Sequence, residues 1–530
     1  MVQIRNFFIR RSSPSLNYRS WRGMSTRTYQ DAINNLNSLQ SNAATLDAVR
    51  ASGGRLSQFA IPEMLEYLER IGYKPDDLNA LKVIHITGTK GKGSTSAFTD
   101  SIIRHTRPDW KVGLYTSPHL VAVRERIRIN GRPLSEEDFT KYFFEVWDRL
   151  QANDSRKLES TPFMPGYFRF VTLMAFHSFL SLKVDATILE VGVGGTYDST
   201  NIVPRPIVTG VTALGIDHVG VLGKTLREIA WQKGGIYKEG VPAYSVPQPE
   251  EGMQVLKERA KELKASEFTV TSGLPEINNV KIGLAGAHQV GNAILAVQLA
   301  KKFLLHLSPE SVTELFPQSF VDGLQNTRWP GRCQTVADPK TTTLTWYLDG
   351  AHTVESLKCC IQWFSQPGVG LPSDSTPDQV QRVLIFNTGG GRAGPSFLES
   401  VYGELSTQLS TQSSPAQPGQ SPASFFSRVV FCTNVTYADG GFKGDLTAVS
   451  LPSDDLAQLR TQNQLADAWL SIVPSFSKER VHVLPSVEHA VRVIHQLATE
   501  SHSPIKVLVA GSLHLVGGVI EVAGLADVAL

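Results

Sequence analysis

The sequence predicts an α/β protein built on two mostly parallel sheets, and three observations support this prediction. Short apolar runs rich in β-branched residues alternate with longer segments of helical periodicity along most of the 530 residues. One of these runs ends in a glycine-rich loop that opens a helix. The alternation stops near Trp329-Pro-Gly-Arg332 and then resumes, which indicates a second, smaller unit. A chain of this length also favours two or three domains over one.

Helices open the first unit, and strands then alternate with helices. Tyr29–Ala51 carries apolar residues at helical spacing and predicts a helix, and a second helix runs from Ile61 to Ile71 with Pro62 in its first turn. The predicted strands are Lys82–Thr87, Lys111–Tyr115, Ala186–Val191 and Ile207–Thr212. The predicted helices between and after them are Ser94–His105, Ser135–Gln151, Tyr167–Leu182, Thr225–Tyr237 and Gly286–Leu305.

The second unit repeats the pattern on a smaller scale. The apolar run from Val507 to the C-terminus is interrupted by His514 and Glu521, and it predicts a buried strand and turn. Residues 366–377 and 406–424 are rich in Ser and Pro, with Gly or Gln, and predict surface loops. The alternating segments of this unit are Leu344–Asp349, Val354–Ser365, Arg382–Asn387, Ser427–Thr433 and Lys506–Ala510.

Composition argues against several classes of protein. A net charge of +2 provides no global field that would recruit nucleic acid or a membrane surface. The four cysteines form no C-x-x-C pair, and Cys359 adjoins Cys360, so we expect a reducing compartment and no structural zinc. No uninterrupted apolar stretch is long enough to predict a membrane span.

The N-terminal 30 residues have the composition of a mitochondrial presequence. They contain six arginines and no Asp or Glu, with large apolar residues between them. Met24 stands just before the first globular segment, so initiation there would remove most of this region. We therefore expect one product starting at Met1 in mitochondria, in the matrix or associated with the inner membrane, and one starting at Met24 in the cytoplasm. The alternative is a basic tail with no targeting role.

The most informative segment runs from Ile84 to Thr95. A β-prone strand is followed by three glycines, Gly88, Gly91 and Gly93, and then by a helical pattern. This order builds a phosphate cradle, because backbone N–H groups and a helix N-terminus converge on an anion. Lys92 would reach the terminal phosphates of a nucleotide. The spacing departs from the usual Walker pattern at Ile86 and Gly93. The alternative is a glycine-rich turn without a ligand, and we favour the phosphate site.

Polar residues follow several other predicted strands. Glu190 lies near the end of one strand, where it would suit Mg²⁺ beside a triphosphate, and His218 follows the next. Asp349 and His352 follow the first strand of the second unit, and Ser117 lies in a polar turn. For Glu190 alone a structural explanation is equally good, and a histidine at the position of His218 is more often structural than a ligand. Together they place polar groups at the same sheet edges as the phosphate loop.

Five segments make the sequence resemble eukaryotic folylpolyglutamate synthases, which belong to the wider Mur ligase family. The resemblance spans roughly residues 28–530. It implies a Mur-ligase-like fold, with an N-terminal P-loop ATPase domain at 28–332 and a smaller Rossmann-like α/β domain at 333–530. The arginine-rich composition assigns residues 1–27 to the presequence. The shortened Walker spacing is the form this family uses. The segments that carry the resemblance are Thr87–Thr95, Ser117–Gly131, Gly215–His218, Ile229–Gly235 and Asp349–His352.

The resemblance also implies roles for individual residues. Mg²⁺ would be held by Ser117, Glu190 and His218, and a monovalent cation such as K⁺ is a further candidate cofactor. Lys233 corresponds to a lysine that is often carbamylated in this family, and with Lys92 and His352 it would serve catalysis. His352 and Ser512 would lie on the glutamate side. The residues expected to bind ATP are Thr89, Lys90, Gly91, Lys92, Gly93, Ser94, Asn292, Arg332 and Asp349.

The implied reaction joins L-glutamate to the γ-carboxylate of a folate through an acyl phosphate formed from ATP. Folate, glutamate and ATP are the expected partners, and we expect a monomer that binds no nucleic acid. Two alternatives remain at this stage. One is dihydrofolate synthase, which performs the same chemistry on dihydropteroate. The other is a nucleotide-binding switch without ligase activity, which the Asp349–His352 segment and the second domain argue against.

Overall fold

The structure is a computed structural model. It describes residues 27–40, 59–312, 314, 316–372, 380–388, 394–412, 420–441, 444–445, 458–501 and 503–530. The predicted presequence and Met24 lie almost entirely outside these residues, as do the second half of the predicted helix Tyr29–Ala51 and parts of both predicted surface loops.

The first sheet is the scaffold for the phosphate loop. Its strand order is β4-β3-β2-β5-β1-β6-β7-β8, and all neighbours from β2 to β8 are parallel, while β3 and β4 form an antiparallel edge. All five residues of β1 are buried, as expected for a central strand covered on both faces. The strands are β1 (Val83–Thr87), β2 (Val112–Tyr115), β3 (Ile127–Ile129), β4 (Arg132–Pro133), β5 (Ala186–Glu190), β6 (Val208–Val211), β7 (Ala243–Ser245) and β8 (Phe268–Val270).

Helices cover both faces of this sheet. On one face α1, α2, α4 and α5 pack over an aromatic core, and on the other α3, α9 and α10 pack over Ile84 and Ile86. The helices are α1 (Tyr29–Ser38), α2 (Ala60–Arg70), α3 (Lys92–Thr106), α4 (Glu136–Ala152), α5 (Tyr167–Leu182), α6 (Val219–Leu222), α7 (Leu226–Gly234), α8 (Glu250–Glu262), α9 (Gln289–Leu307) and α10 (Gln318–Asn326). Short 3₁₀ turns occur at Pro75–Leu81, Val123–Arg126, Ser199–Ile202, Pro275–Asn279 and Pro309–Ser311.

The second sheet begins directly after Arg332. Its order is β13-β12-β11-β14-β10-β9, parallel throughout except for the edge strand β9. Its strands are β9 (Gln334–Ala337), β10 (Leu344–Leu348), β11 (Gln381–Phe386), β12 (Arg428–Cys432), β13 (Val481–Leu484) and β14 (Ile505–Ala510). Its helices are α11 (Val354–Phe364), α12 (Gly394–Gln412), α13 (Arg460–Ile472), α14 (Val487–Glu500), α15 (Leu513–Val522) and α16 (Ala526–Ala529), with 3₁₀ turns at Pro422–Ser424 and Lys478–Arg480.

The two sheets have separate cores that meet at one loop. Leu120 and Val121, which follow β2 of the first sheet, are buried with the side chains of α14 and α15 in the second core. Gly331 lies against both sides of this contact, since a Cβ on it would be 3.2 Å from Leu120 and 3.4 Å from Val516. The halves are therefore joined by packed apolar side chains as well as by the chain itself.

The structure corrects two predictions in the second unit. The C-terminal run predicted as strand and turn is a strand followed by the buried helix α15. The predicted surface loop 406–424 begins inside α12, which continues to Gln412. The predicted strands of both sheets are confirmed to within about one or two residues at each end.

Helix α9 is long and apolar enough to cross a membrane by length and composition alone, among the residues that the structure describes. Half of its apolar window is buried inside the protein. Leu295, Ala296, Leu299 and Phe303 are fully enclosed and pack with α3 and α10. These contacts are those of a core helix.

Candidate active site

The phosphate loop follows the central strand and opens α3. Gly91 is the N-cap of α3, with φ +88°, and Thr95 N donates the first helical bond to Gly91 O at 2.8 Å. The N–H groups of Lys92, Gly93 and Ser94 precede that bond and have no partner within the helix. These amides and the positive end of the helix dipole together form an anion site.

Two glycines of the loop are required by close contacts. Gly88 has φ +149°, and a Cβ on it would lie 1.8 Å from Thr212 Oγ1. Gly91 is pressed against α9, because a Cβ there would lie 2.2 Å from Asn292 Oδ1. Thr89 N and Lys90 N both donate to Ala213 O, at 2.9 and 3.0 Å. The loop is therefore held in its binding conformation by the segment after β6 and by α9.

Two lysines converge on a single carbonyl oxygen. Lys92 Nζ donates to Gly88 O at 3.0 Å, and Lys233 Nζ donates to the same oxygen at 2.8 Å. Lys233 is 3% exposed, and burial together with the charge of Lys92 holds its pKa well below the ordinary value. A lowered pKa increases the fraction of neutral amine, and the neutral amine is the form that reacts with CO₂.

Glu190 is a buried carboxylate beside the phosphate loop, since a Cβ on Gly93 would lie 3.7 Å from Glu190 Oε2. It ends β5, is 3% exposed, and accepts a long hydrogen bond from Ser117 N at 3.4 Å. Burial raises its pKa to about 7, while Lys92 and the Ser117 amide favour the ionised form. A carboxylate held this far from water gains most from a cation bound beside it.

The segment after β6 brings a second pair of charged residues to the loop. Asp217 forms an ion pair with Lys90 at 3.3 Å, and both side chains are partly exposed. His218 has φ +50° and projects at the mouth of the cleft. Burial lowers the pKa of His218, so the imidazole is neutral at physiological pH and can act as a ligand.

The second unit supplies the opposite wall. Asp349 accepts hydrogen bonds from Cys333 N at 2.6 Å and from Ala351 N at 2.8 Å, so its carboxylate fixes the chain where the two units join. Arg332 Nη1 donates to Gly331 O at 2.9 Å. His352 Nδ1 donates to Gly350 O at 2.7 Å, which leaves Nε2 as the acceptor of the neutral ring.

These walls enclose one cleft of about 450 Å³ between the two sheets. It is lined by every predicted site residue except Lys233 and Ser512. Lys233 lies directly behind the phosphate loop. Ser512 is the N-cap of α15 and accepts from Leu515 N at 3.5 Å, while its neighbour Leu513 reaches the cleft. Among the residues described, no cluster of three His, Cys, Asp or Glu side chains could hold a metal by itself.

Several residues that line the cleft were not predicted from the sequence. Asp217 adjoins a predicted ligand, so its neighbour could have drawn attention to it. Arg126 lies in the segment that carried the resemblance, but nothing in the sequence distinguishes it from Arg124 or Arg128. The remaining missed residues gave no usable signal, because distant elements bring them to the cleft. They include Phe168, His288, Gln289, Glu355, Cys333, Cys359 and Cys360.

Comparison with known proteins establishes the family. No family model matches this chain. Folylpolyglutamate synthase from Saccharomyces cerevisiae strain S288c is 43% identical over 516 residues, which covers 95% of this chain and 88% of the yeast protein. The chain belongs to the folylpolyglutamate synthase family. The sequence from strain FostersO gives the same identity and coverage.

Solved structures share the family fold at low sequence identity. Mycobacterium tuberculosis folylpolyglutamate synthase, complexed with ADP and AMPPCP, matches with a TM-score of 0.64 at 21% identity, over 88% of this chain and 95% of that chain. Escherichia coli FolC, in complex with DHPP and ADP, matches with a TM-score of 0.63 at 20% identity, over 96% and 100% of the two chains. These matches confirm the predicted two-unit α/β fold.

Proposed function

We propose that this chain is an ATP-dependent ligase that adds L-glutamate to the γ-carboxylate of a folate. The observation that carries the proposal is the cleft itself, in a chain that belongs to this family. A phosphate loop with Lys92 faces Glu190 and His218 on one side and Asp349 and His352 of the second unit on the other. A bare nucleotide switch would have no need of this second wall.

ATP would bind with its phosphates on the amides that open α3. Lys92 would leave the Gly88 carbonyl for the β- and γ-phosphates, since Lys233 already satisfies that oxygen. Asn292 and Arg332 line the cleft on its nucleoside side, with Asp349 holding the chain behind Arg332. Most of the protein's task is positioning and neutralising charge.

Mg²⁺ fits the residues present. Glu190 offers a buried carboxylate, and Ser117 and His218, which line the same cleft, offer a hydroxyl and an imidazole. One carboxylate with additional oxygen ligands is a usual protein share for Mg²⁺, which keeps waters and phosphate oxygens as its other ligands. When bound, it would neutralise charge on the transferred phosphoryl group. K⁺ is a second candidate, with no residue that we assign to it.

The reaction proceeds in two steps. A γ-carboxylate oxygen of the folate attacks the γ-phosphorus of ATP, ADP leaves, and an acyl phosphate forms. The amino nitrogen of glutamate then attacks the acyl carbon, phosphate leaves with the bonding electron pair, and the amine gives up its proton. Nε2 of His352 is an acceptor on the second wall and is our candidate for receiving that proton. We expect glutamate to approach from this side, close to Leu513.

Lys233 would act through its modification. Addition of CO₂ to the neutral Nζ forms a carbamate and releases a proton. The product places an anion beside Lys92, which would favour the charged form of the Lys92 ammonium. The support for this is the buried amine with its lowered pKa, 2.8 Å from Gly88 O.

Product analysis tests the function. Purified protein is incubated with ATP, Mg²⁺ and glutamate, and with either tetrahydrofolate or dihydropteroate, and the products are weighed by mass spectrometry. Addition of one or more glutamyl units to tetrahydrofolate supports the proposal. Product from dihydropteroate alone would identify dihydrofolate synthase instead. ATP hydrolysis that is independent of all added substrates would indicate a switch.

Two further properties remain proposals. We propose that the protein acts as a monomer, because the cleft is built entirely from one chain. We also propose two locations, mitochondrial from Met1 and cytoplasmic from Met24, on the strength of the arginine-rich, acid-free N-terminus.

A further inference from the structure

Arg126 is a buried cation in the wall of the cleft that the mechanism above does not use. It ends the 3₁₀ turn Val123–Arg126 and is 7% exposed. Its Nε donates to His119 Nδ1 at 2.9 Å, and its guanidinium lies 5.5 Å from the ring of Tyr167. In the part of the chain that the structure describes, no carboxylate stands within the 4.0 Å of an ion pair.

The charge of Arg126 favours the ionised form of Glu190, but that carboxylate lies beyond the distance of an ion pair. A buried guanidinium without a close ion-pair partner is costly, and a bound anion would offset that cost. Arg126 lines the ligand cleft, so the missing anion can be supplied by a substrate. With Nε committed to His119, the two terminal nitrogens remain as a planar fork. Such a fork binds a carboxylate through two parallel hydrogen bonds.

The surroundings favour a carboxylate attached to an aromatic group over a phosphate. Pro118 and Phe168 line the same cleft as Arg126, and the ring of Tyr167 lies within cation–π distance of its guanidinium. A folate carries its glutamyl residue on an aromatic ring. The ring would contact the apolar residues while the carboxylate binds Arg126.

His119 fixes the arginine by using both ring nitrogens. A guanidinium can only donate, so Nδ1 accepts and Nε2 carries the hydrogen. Nε2 then donates to Asp445 O at 2.7 Å, and Asp445 belongs to the second unit. The same short segment accepts hydrogen bonds from Tyr29 OH at Asp445 Oδ1 (2.8 Å) and from Asn37 Nδ2 at Gly444 O (2.9 Å). The next residues, Leu120 and Val121, are packed in the second core.

We propose that Arg126 binds a carboxylate of the folate's terminal glutamyl residue, and that His119 is a positioning residue that holds Arg126 in place through its contact with Asp445. This inference rests on the proposed ligase function. The folate carboxylate site would then depend on the contact between the two units, although Arg126 itself belongs to the first unit.

The first test replaces Arg126 in the full-length protein with lysine and with glutamine. We expect the KM for the folate to rise about 10- to 100-fold, as for loss of a charge-assisted bidentate pair, while the KM for ATP changes less than about twofold. Arg124→Gln is the matched control, since Arg124 lies on the same turn, outside the cleft lining. Its folate KM should equal that of the wild type.

Other outcomes overturn the inference. A rise confined to the KM for ATP would place a phosphate on Arg126, and a rise confined to the KM for glutamate would place the incoming amino acid there. If Arg126→Gln does not unfold cooperatively, Arg126→Lys decides, because it keeps the charge and loses the fork. An unchanged folate KM in that variant refutes the assignment. If the wild type itself forms no glutamyl product, the proposed function has failed instead.

The second test removes the two hydrogen bonds of His119 one at a time. The side-chain oxygen of His119→Asn can take the place of Nδ1 and accept from Arg126, whereas the amide of His119→Gln can take the place of Nε2 and donate to Asp445. A positioning role predicts that the folate KM rises in both variants, with kcat and the affinity for AMPPCP nearly unchanged. If kcat falls by the same factor in both variants while the folate KM stays unchanged, His119 serves only the fold.

Discussion

Replacing Glu190 with glutamine should stabilise the metal-free protein at alkaline pH while it removes activity. Burial raises the pKa of Glu190 to about 7, whereas an exposed glutamate titrates near about 4.3. Between these values the folded protein retains a proton that the unfolded chain has released. The free energy of unfolding therefore falls as pH rises through this window, and the loss is complete above the folded pKa.

The size of the effect follows from the shift. A difference of about 2.7 pKa units, at about 1.4 kcal/mol per unit, corresponds to about 4 kcal/mol. Glutamine keeps the shape of the side chain and an oxygen for the Ser117 amide, and it carries no charge to bury. The variant should therefore match the wild type at about pH 4 and be more stable by about 4 kcal/mol at about pH 8.

The assay is urea unfolding of the metal-free wild type and Glu190→Gln at several pH values, followed through the first transition because two cores need not unfold together. Adding Mg²⁺ at alkaline pH should stabilise the wild type and leave the variant unchanged, because the ligand binds the ionised carboxylate of the folded state. Parallel loss of stability in both proteins across the window would refute the reasoning, as would a variant that keeps wild-type activity.

Three further predictions concern the lysines and the N-terminus. Lys92→Ala should lower turnover at least about 100-fold, since it removes a cation from the transferred phosphoryl group, and should leave the melting temperature nearly unchanged because Lys233 still satisfies Gly88 O; a normal turnover number would contradict this. Lys233→Arg should abolish the carbamate signal that ¹³C-bicarbonate gives in the NMR spectrum of the wild type, because a guanidinium does not add CO₂, and a signal that persists would place the carbamate elsewhere. A fluorescent fusion that starts at Met1 should label mitochondria and one that starts at Met24 the cytoplasm, as judged by microscopy; mitochondrial label that survives Met1→Ala would argue against the two-product scheme.

Eight strands were predictable because they read as short apolar runs bounded by polar residues. The strands that were not predicted are short or lie at a sheet edge, namely β3, β4, β7, β8, β9 and β13. The errors have physical causes. Helix α15 contains Gly517 and Gly518 in a mostly apolar context, and its sequence does not distinguish a buried helix from a strand. Helix α12 is rich in Ser, Thr and Gln, yet Leu398, Val401 and Leu405 recur at helical spacing and are buried in the second core. Tertiary burial overrides composition there.

Some residues of the candidate site could be predicted from the sequence, and others could not. Residues of the phosphate loop and the ends of β5 and β6 could be predicted, because a local pattern and the edge rule for parallel sheets place them together. The contact of His119 with Asp445 joins residues 326 positions apart. No local periodicity encodes such a pairing. Ser512, which the family resemblance assigns to the glutamate side, caps a helix beside the cleft, and its role toward glutamate stays a prediction.

The segment that joins the two units passes directly under the phosphate loop. A Cβ on Gly93 would lie 3.0 Å from Trp329 Nε1, and Trp329 is also within cation–π distance of Arg128, at 5.0 Å. The connector therefore packs against the phosphate loop as well as joining the two units. Splitting the gene after Arg332 would separate two well-formed cores and leave neither fragment with a complete nucleotide site. Recombination that exchanges one half between relatives would have to carry this connector along with the loop that rests on it.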